Sequence, residues 1–259
     1  MVHRDIPHES RKDFVYIGTA GWNIRREHAH RFCEDGTHLQ RYASLFNAVE
    51  INSSFYRPHR LATYERWAAS VSDEFRFSVK LPKVITHELR LVDIGHPLDR
   101  FLSEVGGLGK KLGPILVQLP PSLAFDQSIA VSFFEGVRDR FSGDVVLEPR
   151  HATWFTNEVE GMLMEYRIAR VAADPARVPA AGDPGGWSHL VYLRLHGAPR
   201  VYYSAYSPDQ LNGITELLAE KESQAISAWC IFDNTALGAA TADASTVRSQ
   251  LLEIQRAHT

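Results

Sequence analysis

Eight separated stretches of this chain read as short β-type runs, and between most of them the apolar spacing switches from two to about 3.6 residues. The period-two stretches are VYIGTAGW (15–22), AVEINSSFY (48–56), FRFSVKLP (75–82), PILVQLPP (114–121), DVVLEPRH (144–151), IARVAADP (168–175), LVYLRLHG (190–197) and SAWCIFDN (227–234). Their starts lie roughly thirty residues apart, the length of one strand–helix unit. The helical spacing shows in Leu39, Tyr42, Ala43 and Phe46, and again in Leu98, Phe101, Leu102 and Val105. Ser128 and the pair Ser207-Pro208 have the chemistry of helix starts. The sixth gap differs, because ARVPAAGDPGGWSH is rich in Pro and Gly and predicts an irregular loop after strand 6.

Strands alternating with helices imply parallel strands joined by right-handed crossovers, and eight such units predict an α/β fold, a single (β/α)8 TIM-type barrel. An open doubly wound sheet is the alternative, but neither GxGxxG nor GxxxxGK[ST] occurs. The 259 residues fit the roughly 250 typical of a barrel. Residues 1–13 are expected to form a flexible lead-in, and 14–259 one barrel domain.

Composition narrows the partners. With 44% hydrophobic and 23% charged residues the chain can bury a core without metal or disulfides. A net charge of −3 disfavours nucleic acid as a partner of the whole surface while leaving room for a local basic pocket. Cys33 and Cys230 lack ligand spacing and are expected to be buried small hydrophobes. Neither a targeting signal nor a membrane span is legible, so the expected location is the cytoplasm, with no membrane partner. Oligomeric state is not legible in the sequence either way.

Within the strands, Val49 and Ile51 alternate with Glu50 and Asn52, and Phe77 and Val79 with Ser78 and Lys80. Val145 and Leu147 likewise oppose Glu148 and Arg150, while Val191, Leu193 and Leu195 oppose Tyr192, Arg194 and His196. A barrel strand packs its outer face on helices, so the polar parity points into the lumen. Glu50, Lys80, Gln118, Glu148, Arg150, Arg194 and His196 are therefore expected to converge late in their strands, where barrel enzymes keep their chemistry. An internal ion-pair network without further purpose is the bland alternative. Trp22, Phe55, Tyr56 and Trp154 follow strands and would ring the same mouth, ready to stack on a sugar or base, or else close the core beneath the loops. His151 serves equally as a ligand group or as a helix cap.

The runs LQRYASLFNAVEINSSFYRP, FRFSVKLPKVITHELRL, GPILVQLPPS, LEPRHATWF and YLRLHG resemble the YecE-like family, domain of unknown function 72, over nearly the whole chain. VEINSSFY and VKLPKVITHE are the most specific elements. The resemblance implies a β/α barrel and no particular reaction. It marks, among others, Gly18, Gly21, Trp22, Asn52, Tyr56, Thr86, His87, Gln118, His151, Trp154 and Asn234 as family positions beside the lumen set. The first loop departs at Ala20, where the family carries a hydroxyl.

The leading expectation is an enzyme acting on an anionic small molecule, phosphorylated or sugar-containing, bound at the rim. Glu50 and Glu148 would exchange protons, Lys80 would act as an amine nucleophile, and His196 would join the catalytic group. Trp22, Asn52, Tyr56, His87, Gln118, Arg150, His151, Trp154, Arg194 and Asn234 would bind the ligand. No cofactor is expected on this reading. One alternative is a divalent-metal phosphodiesterase or nuclease with Glu50, His87, Glu148, Asp174 and His196 as ligands. The other is a metabolite-binding protein without turnover.

Overall fold

The computed structural model describes residues 15–257, so the lead-in expected at 1–13 lies outside it. Its strands are β1 (Val15–Ala20), β2 (Ala48–Ile51), β3 (Arg76–Lys80), β4 (Leu112–Gln118), β5 (Val145–Glu148), β6 (Ile168–Arg170), β7 (Ala172–Asp174), β8 (Gly185–Gly186), β9 (Leu190–Leu195) and β10 (Ser227–Phe232). They form one ten-stranded sheet in the order β7-β9-β10-β1-β2-β3-β4-β5-β6-β8. Neighbours are parallel except β8, which runs antiparallel along β6. Only Val171 separates β6, which pairs with β5, from β7, which pairs with β9, so the sheet curls into a nearly closed barrel. Across that break the ladders continue through Val171 N–H to Leu147 O at 2.9 Å and His196 N–H to Asp174 O at 2.7 Å.

The helices α1 (His38–Ala43), α2 (Ser53–Tyr56), α3 (Leu61–Ala69), α4 (Gly95–Val105), α5 (Gln127–Arg138), α6 (Asn157–Glu165), α7 (Pro208–Ser223) and α8 (Ala239–Ala257) follow the strands. Ser207 caps α7 through Gln210 N–H, with Pro208 in the first turn. The other expected start is displaced: Asp126 caps α5 by accepting from Ile129 N–H, and Ser128 sits inside the helix, donating to Asp126 Oδ1 at 2.7 Å. Asp126 stands at the cap position just before the first turn, so its carboxylate meets the free amide of Ile129, and the Ser128 hydroxyl only braces it. Among the described residues no helix is long and apolar enough to cross a membrane.

Aliphatic residues of the outward parity, such as Val49, Val79, Val117, Leu147 and Leu193, pack with the helices in the main core. Each fully buried side chain of this kind contributes about 1.5–3 kcal/mol. A second apolar cluster containing Leu116, Val146, Tyr192, Trp229 and Ile231 fills the lower lumen. There Trp229 lies between Tyr16 and Tyr192, with ring centroids 4.6 and 5.9 Å away. A Cβ at Gly113 would come within 2.5 Å of the Trp229 ring, so bare backbone is needed there. The lumen is thus floored by rings, and polar residues occupy only its upper half. Cys230 is buried as expected, whereas Cys33 is exposed, because it follows the short 3-10 helix 26–31 where Phe32 alone turns inward.

The irregular loop after β7 contains only a 3-10 turn at Pro179–Gly182 and the two residues of β8. It occupies the place of a helix and is fastened by Arg170, which bonds Glu160 of α6 and donates to Ala180 O at 2.6 Å and Asp183 O at 3.1 Å. Glu160 also accepts from Gly186 N–H. Gly186 has φ +64° and would put a Cβ 2.4 Å from Ile168 O, so no larger residue fits this crossing.

Candidate functional site

Arg194 is the hub of the upper lumen. Its Nε and Nη2 donate to the two oxygens of Glu50 at 3.0 and 2.7 Å, Nη1 to Glu148 Oε2 at 2.6 Å, and Nη2 also to Asp233 Oδ2 at 3.0 Å. Burial alone would lower its pKa, but these carboxylates hold it well above the ordinary value. Glu50 is wholly buried and also accepts from Tyr192 OH at 2.8 Å. Both residues were expected at the ligand, and neither has a free face. Arg194 spends its donors on acids and Glu50 its acceptors on Arg194 and Tyr192, so they form the site's floor.

Above this floor the groups are less committed. Glu148 Oε1 accepts from Arg150 Nε and Nη2 at 3.0 and 2.9 Å. Burial would raise the Glu148 pKa, but Arg194, His196 and Arg150 bring it well below the carboxylate range. His196 Nδ1 lies 3.0 Å from Asp233 Oδ2. Its Nε2 is buried without a hydrogen-bond partner, and Glu148 Oε1 stands 3.6 Å away, past bonding distance. Burial opposes a charge on His196, yet Asp233 and Glu148 raise its pKa overall. Asp233 is lowered in spite of burial, by Arg194 and then His196.

Lys80 Nζ donates to Gln118 Oε1 at 2.5 Å and lies 4.2 Å from the centroid of the Phe55 ring. Burial and then Arg194 push its pKa down to about 8. His87 packs edge-on against Phe55 at 5.0 Å, and burial followed by Lys80 and Arg150 lowers its pKa. Lys80, Gln118, His87 and Arg150 therefore share one mouth with His196.

A cavity of about 290 Å³ opens on the Arg150 and His196 side of this mouth, lined by Glu148, Arg150, Arg177, His196 and Tyr202 among others, while Lys80, Gln118 and His87 are not among its walls. Trp22 and Asn52 border a separate hollow of about 340 Å³ with His38 and Ser53. Asn52 Oδ1 is buried there without a partner.

Other expected ligand residues have structural tasks. Trp154 is 1% exposed, donates Nε1–H to Leu123 O at 2.9 Å and packs against Phe125, so it closes the core. His151 Nδ1 caps the 3-10 turn 152–154 by accepting from Thr153 N–H. Asn234 Nδ2 donates to Ser204 O at 2.9 Å and to Asp243 Oδ2 of α8 at 2.7 Å, tying its loop to that of Ser204 and to the helix, while its Oδ1 is buried without a hydrogen-bond partner. Tyr56 is 78% exposed and borders an outer groove with Lys83 and Arg100. Asp174 accepts from Tyr206 OH at 2.7 Å, apart from the hub, and among the described residues no three His, Cys, Asp or Glu are grouped to hold a metal ion.

Asp233 and Arg177 went unnoticed in the sequence. Asp233 continues the lumen parity of Trp229 and Ile231 and was legible on that ground. Arg177 sits in the irregular loop, where no periodicity points inward.

Comparison with known proteins gives one family. The family described as Protein of unknown function DUF72 matches residues 16–259. The chain is 28% identical over 173 residues to UPF0759 protein YecE of Escherichia coli (strain K12), an alignment spanning 64% of this chain and 61% of that protein. It is 24% identical over 276 residues to UPF0759 protein YunF of Bacillus subtilis (strain 168), spanning 93% and 94%. It thus matches less than two thirds of the length of the E. coli relative. A crystal structure of a DUF72 family protein from Thermotoga maritima MSB8 superposes with a TM-score of 0.75 at 23% identity, covering 92% of this chain and 98% of that one. One from Enterococcus faecalis V583 gives 0.74 at 22% identity, covering 92% and 95%. These likenesses carry the fold and leave the chemistry to the residues.

Proposed function

The chain belongs to the DUF72 family, and we propose that it is a (β/α)8-barrel enzyme acting on an anionic small molecule held at the carboxyl ends of the strands. Counting 168–174 as one stave interrupted at Val171 gives the eight units of such a barrel, with β8 as an appendage. The observation that carries the reading is His196 Nε2, a buried ring nitrogen at the edge of a cationic cavity that has no hydrogen-bond partner, its nearest acid being Glu148 Oε1 at 3.6 Å. Most buried polar atoms are bonded. Asn52 Oδ1, Asn234 Oδ1 and Ser245 Oγ are the other unmatched ones among the described residues. Of the four, His196 Nε2 is the one that lines the cationic cavity, which supports a ligand or water there.

Charge supports the sign of that ligand. Glu50, Glu148 and Asp233 face Arg194, Arg150, Lys80 and a His196 whose pKa is raised, and Arg177 adds a further cation at the cavity. The excess is positive although the whole chain is negative, which favours phosphate or carboxylate. In this reading Arg150 and Arg177 hold the anionic group. His196 delivers a proton from Nε2 and takes it back, while Asp233 fixes the ring and stabilises its cation. Glu50 and Arg194 position Glu148 and Asp233 from below.

The test is titration with inorganic phosphate by calorimetry, followed by product analysis on phosphorylated sugars and keto acids. Arg150→Ala should weaken phosphate binding about tenfold, as expected for losing a charge-assisted bond. His196→Asn should abolish turnover while leaving the fold intact. Turnover unaffected by His196→Asn would remove the acid–base assignment, and phosphate binding without turnover of any compound would leave a binding protein.

A further inference from the structure

We propose that Lys80 is a carbonyl-reactive amine, which forms an imine with the aldehyde or ketone carbon of a phosphorylated or carboxylated substrate held beside it. This rests on the anionic-ligand reading above and names the substrate class. Lys80 differs from the other described lysines in its company. Lys83, Lys111 and Lys221 each lie within 3.4 Å of a carboxylate oxygen, of Glu88, Asp73 and Glu220 respectively, and Lys110 is exposed. Lys80 is 8% exposed, and the contacts of its Nζ are the neutral Gln118 amide and the Phe55 ring. The carboxylates nearest the hub, Glu50, Glu148 and Asp233, are bonded to Arg194 instead.

A buried ammonium without a carboxylate is costly, and an apolar side chain would fill the same space, so structure alone gives the amine no purpose. The same setting suits a nucleophile. Desolvation and the cation Arg194 favour the neutral amine, and the pKa of about 8 leaves a substantial neutral fraction near pH 7.5. An ordinary lysine has on the order of a hundredfold less, and even after allowing for weaker basicity a net advantage of about tenfold remains.

The step balances without a further reactant. The Nζ lone pair attacks the carbonyl carbon, a C–N bond forms, and the C=O π pair moves to oxygen, which takes the proton from His196 Nε2. The nitrogen then loses a proton to His87, kept in its neutral form by its lowered pKa, or to water. The hydroxyl then leaves as water with the proton handed back by His87 or by the water that took it, the nitrogen lone pair forming the iminium. Loss of the remaining N–H proton to His196 Nε2 gives the imine and restores the acid. Asp233 links the partners, bonding His196 at 3.0 Å and feeling the charge of Lys80.

The experiment uses the full chain, glycolaldehyde phosphate as probe and sodium cyanoborohydride to reduce any imine, with peptide mapping by mass spectrometry at pH 7.5. The expected result is one added group, at Lys80, at about tenfold the rate of Lys83, Lys110, Lys111 or Lys221. Inorganic phosphate should protect, phosphate-free glycolaldehyde should label more slowly, and Lys80→Met should abolish the adduct. Labelling spread evenly over the lysines, or unchanged in Lys80→Met, overturns the inference. Phosphate binding with no Lys80 adduct overturns it alone and spares the His196 reading; loss of both phosphate binding and adduct overturns both. Labelling of Lys80 equally by the phosphate-free probe overturns the substrate class.

Discussion

Arg194 holds three acids at once, and the cost of removing it follows from what stays behind. Arg194→Met leaves Glu50 buried without a counter-charge and leaves Glu148 and Asp233 beside it with only Arg150 and His196 to pair with. Breaking a buried pair from one side costs about 3–5 kcal/mol, so urea denaturation at pH 7 should show a loss at least that large. Arg194→Lys should recover only part of it, because an ammonium cannot grip Glu50 through two parallel bonds. Lys80 is the opposite case. Lowering its pKa from 10.5 to about 8 corresponds to about 3 kcal/mol spent holding the charged form in the fold at neutral pH. Lys80→Met removes that cost but leaves Gln118 Oε1 unmatched, a penalty of about 1–3 kcal/mol. The variant should therefore melt at or slightly above the parent temperature in a thermal scan at pH 7. A clear loss of stability would give Lys80 a structural task and weaken its case as a nucleophile.

Loop 175–189 shows how an element can be held by residues its own sequence does not contain. Glu160 on α6 fastens Arg170 and Gly186, and the loop so held brings Arg177 to the cavity wall. In Glu160→Ala the barrel should remain folded, while amide exchange across 175–189 accelerates about tenfold, the effect of losing roughly 1–2 kcal/mol of local bonding. Phosphate binding should weaken with it, and exchange that stays slow would mean the loop is held by its own packing. The same loop marks a limit of the sequence. Strand parity was legible because a side-chain period of two admits only two faces, so Glu50, Lys80, Gln118, Glu148, Arg194 and His196 could be assigned to one interior. Parity does not tell depth, which is why Glu50 was expected at the ligand and lies on the floor. Nor does it tell stacking platform from core plug, since Trp22 and Trp154 both follow strands and only the second is sealed under Phe125. Arg177 lies outside any period, and its place is decided by Glu160.

For the molecule as a whole, the buried charges set the dependence of stability on pH. Glu148 and Asp233 have folded-state pKa values below their ordinary 4.5 and 3.8. Their contribution is present above the unfolded values and is lost as pH falls through the folded ones. His196 is raised above 6.5, so its contribution is full below that pH and is lost as pH climbs through the raised value. Lys80 works against it on the alkaline side: between about 8 and 10.5 the unfolded chain binds the proton that the folded one has released, so stability rises with pH there. The sum is a plateau at mildly acidic pH, an acid limb, and an alkaline side on which the loss through His196 is opposed, between about 8 and 10.5, by a gain through Lys80. Urea midpoints from pH 3 to 10 check this shape. Glu148→Gln should flatten the acid limb relative to the parent's loss below about pH 4.5, and Lys80→Met should deepen the alkaline limb by removing the group that offsets His196. An alkaline limb unchanged in Lys80→Met would mean that the amine titrates alike in the folded and unfolded chain, and that its burial at the barrel mouth does not depress its basicity.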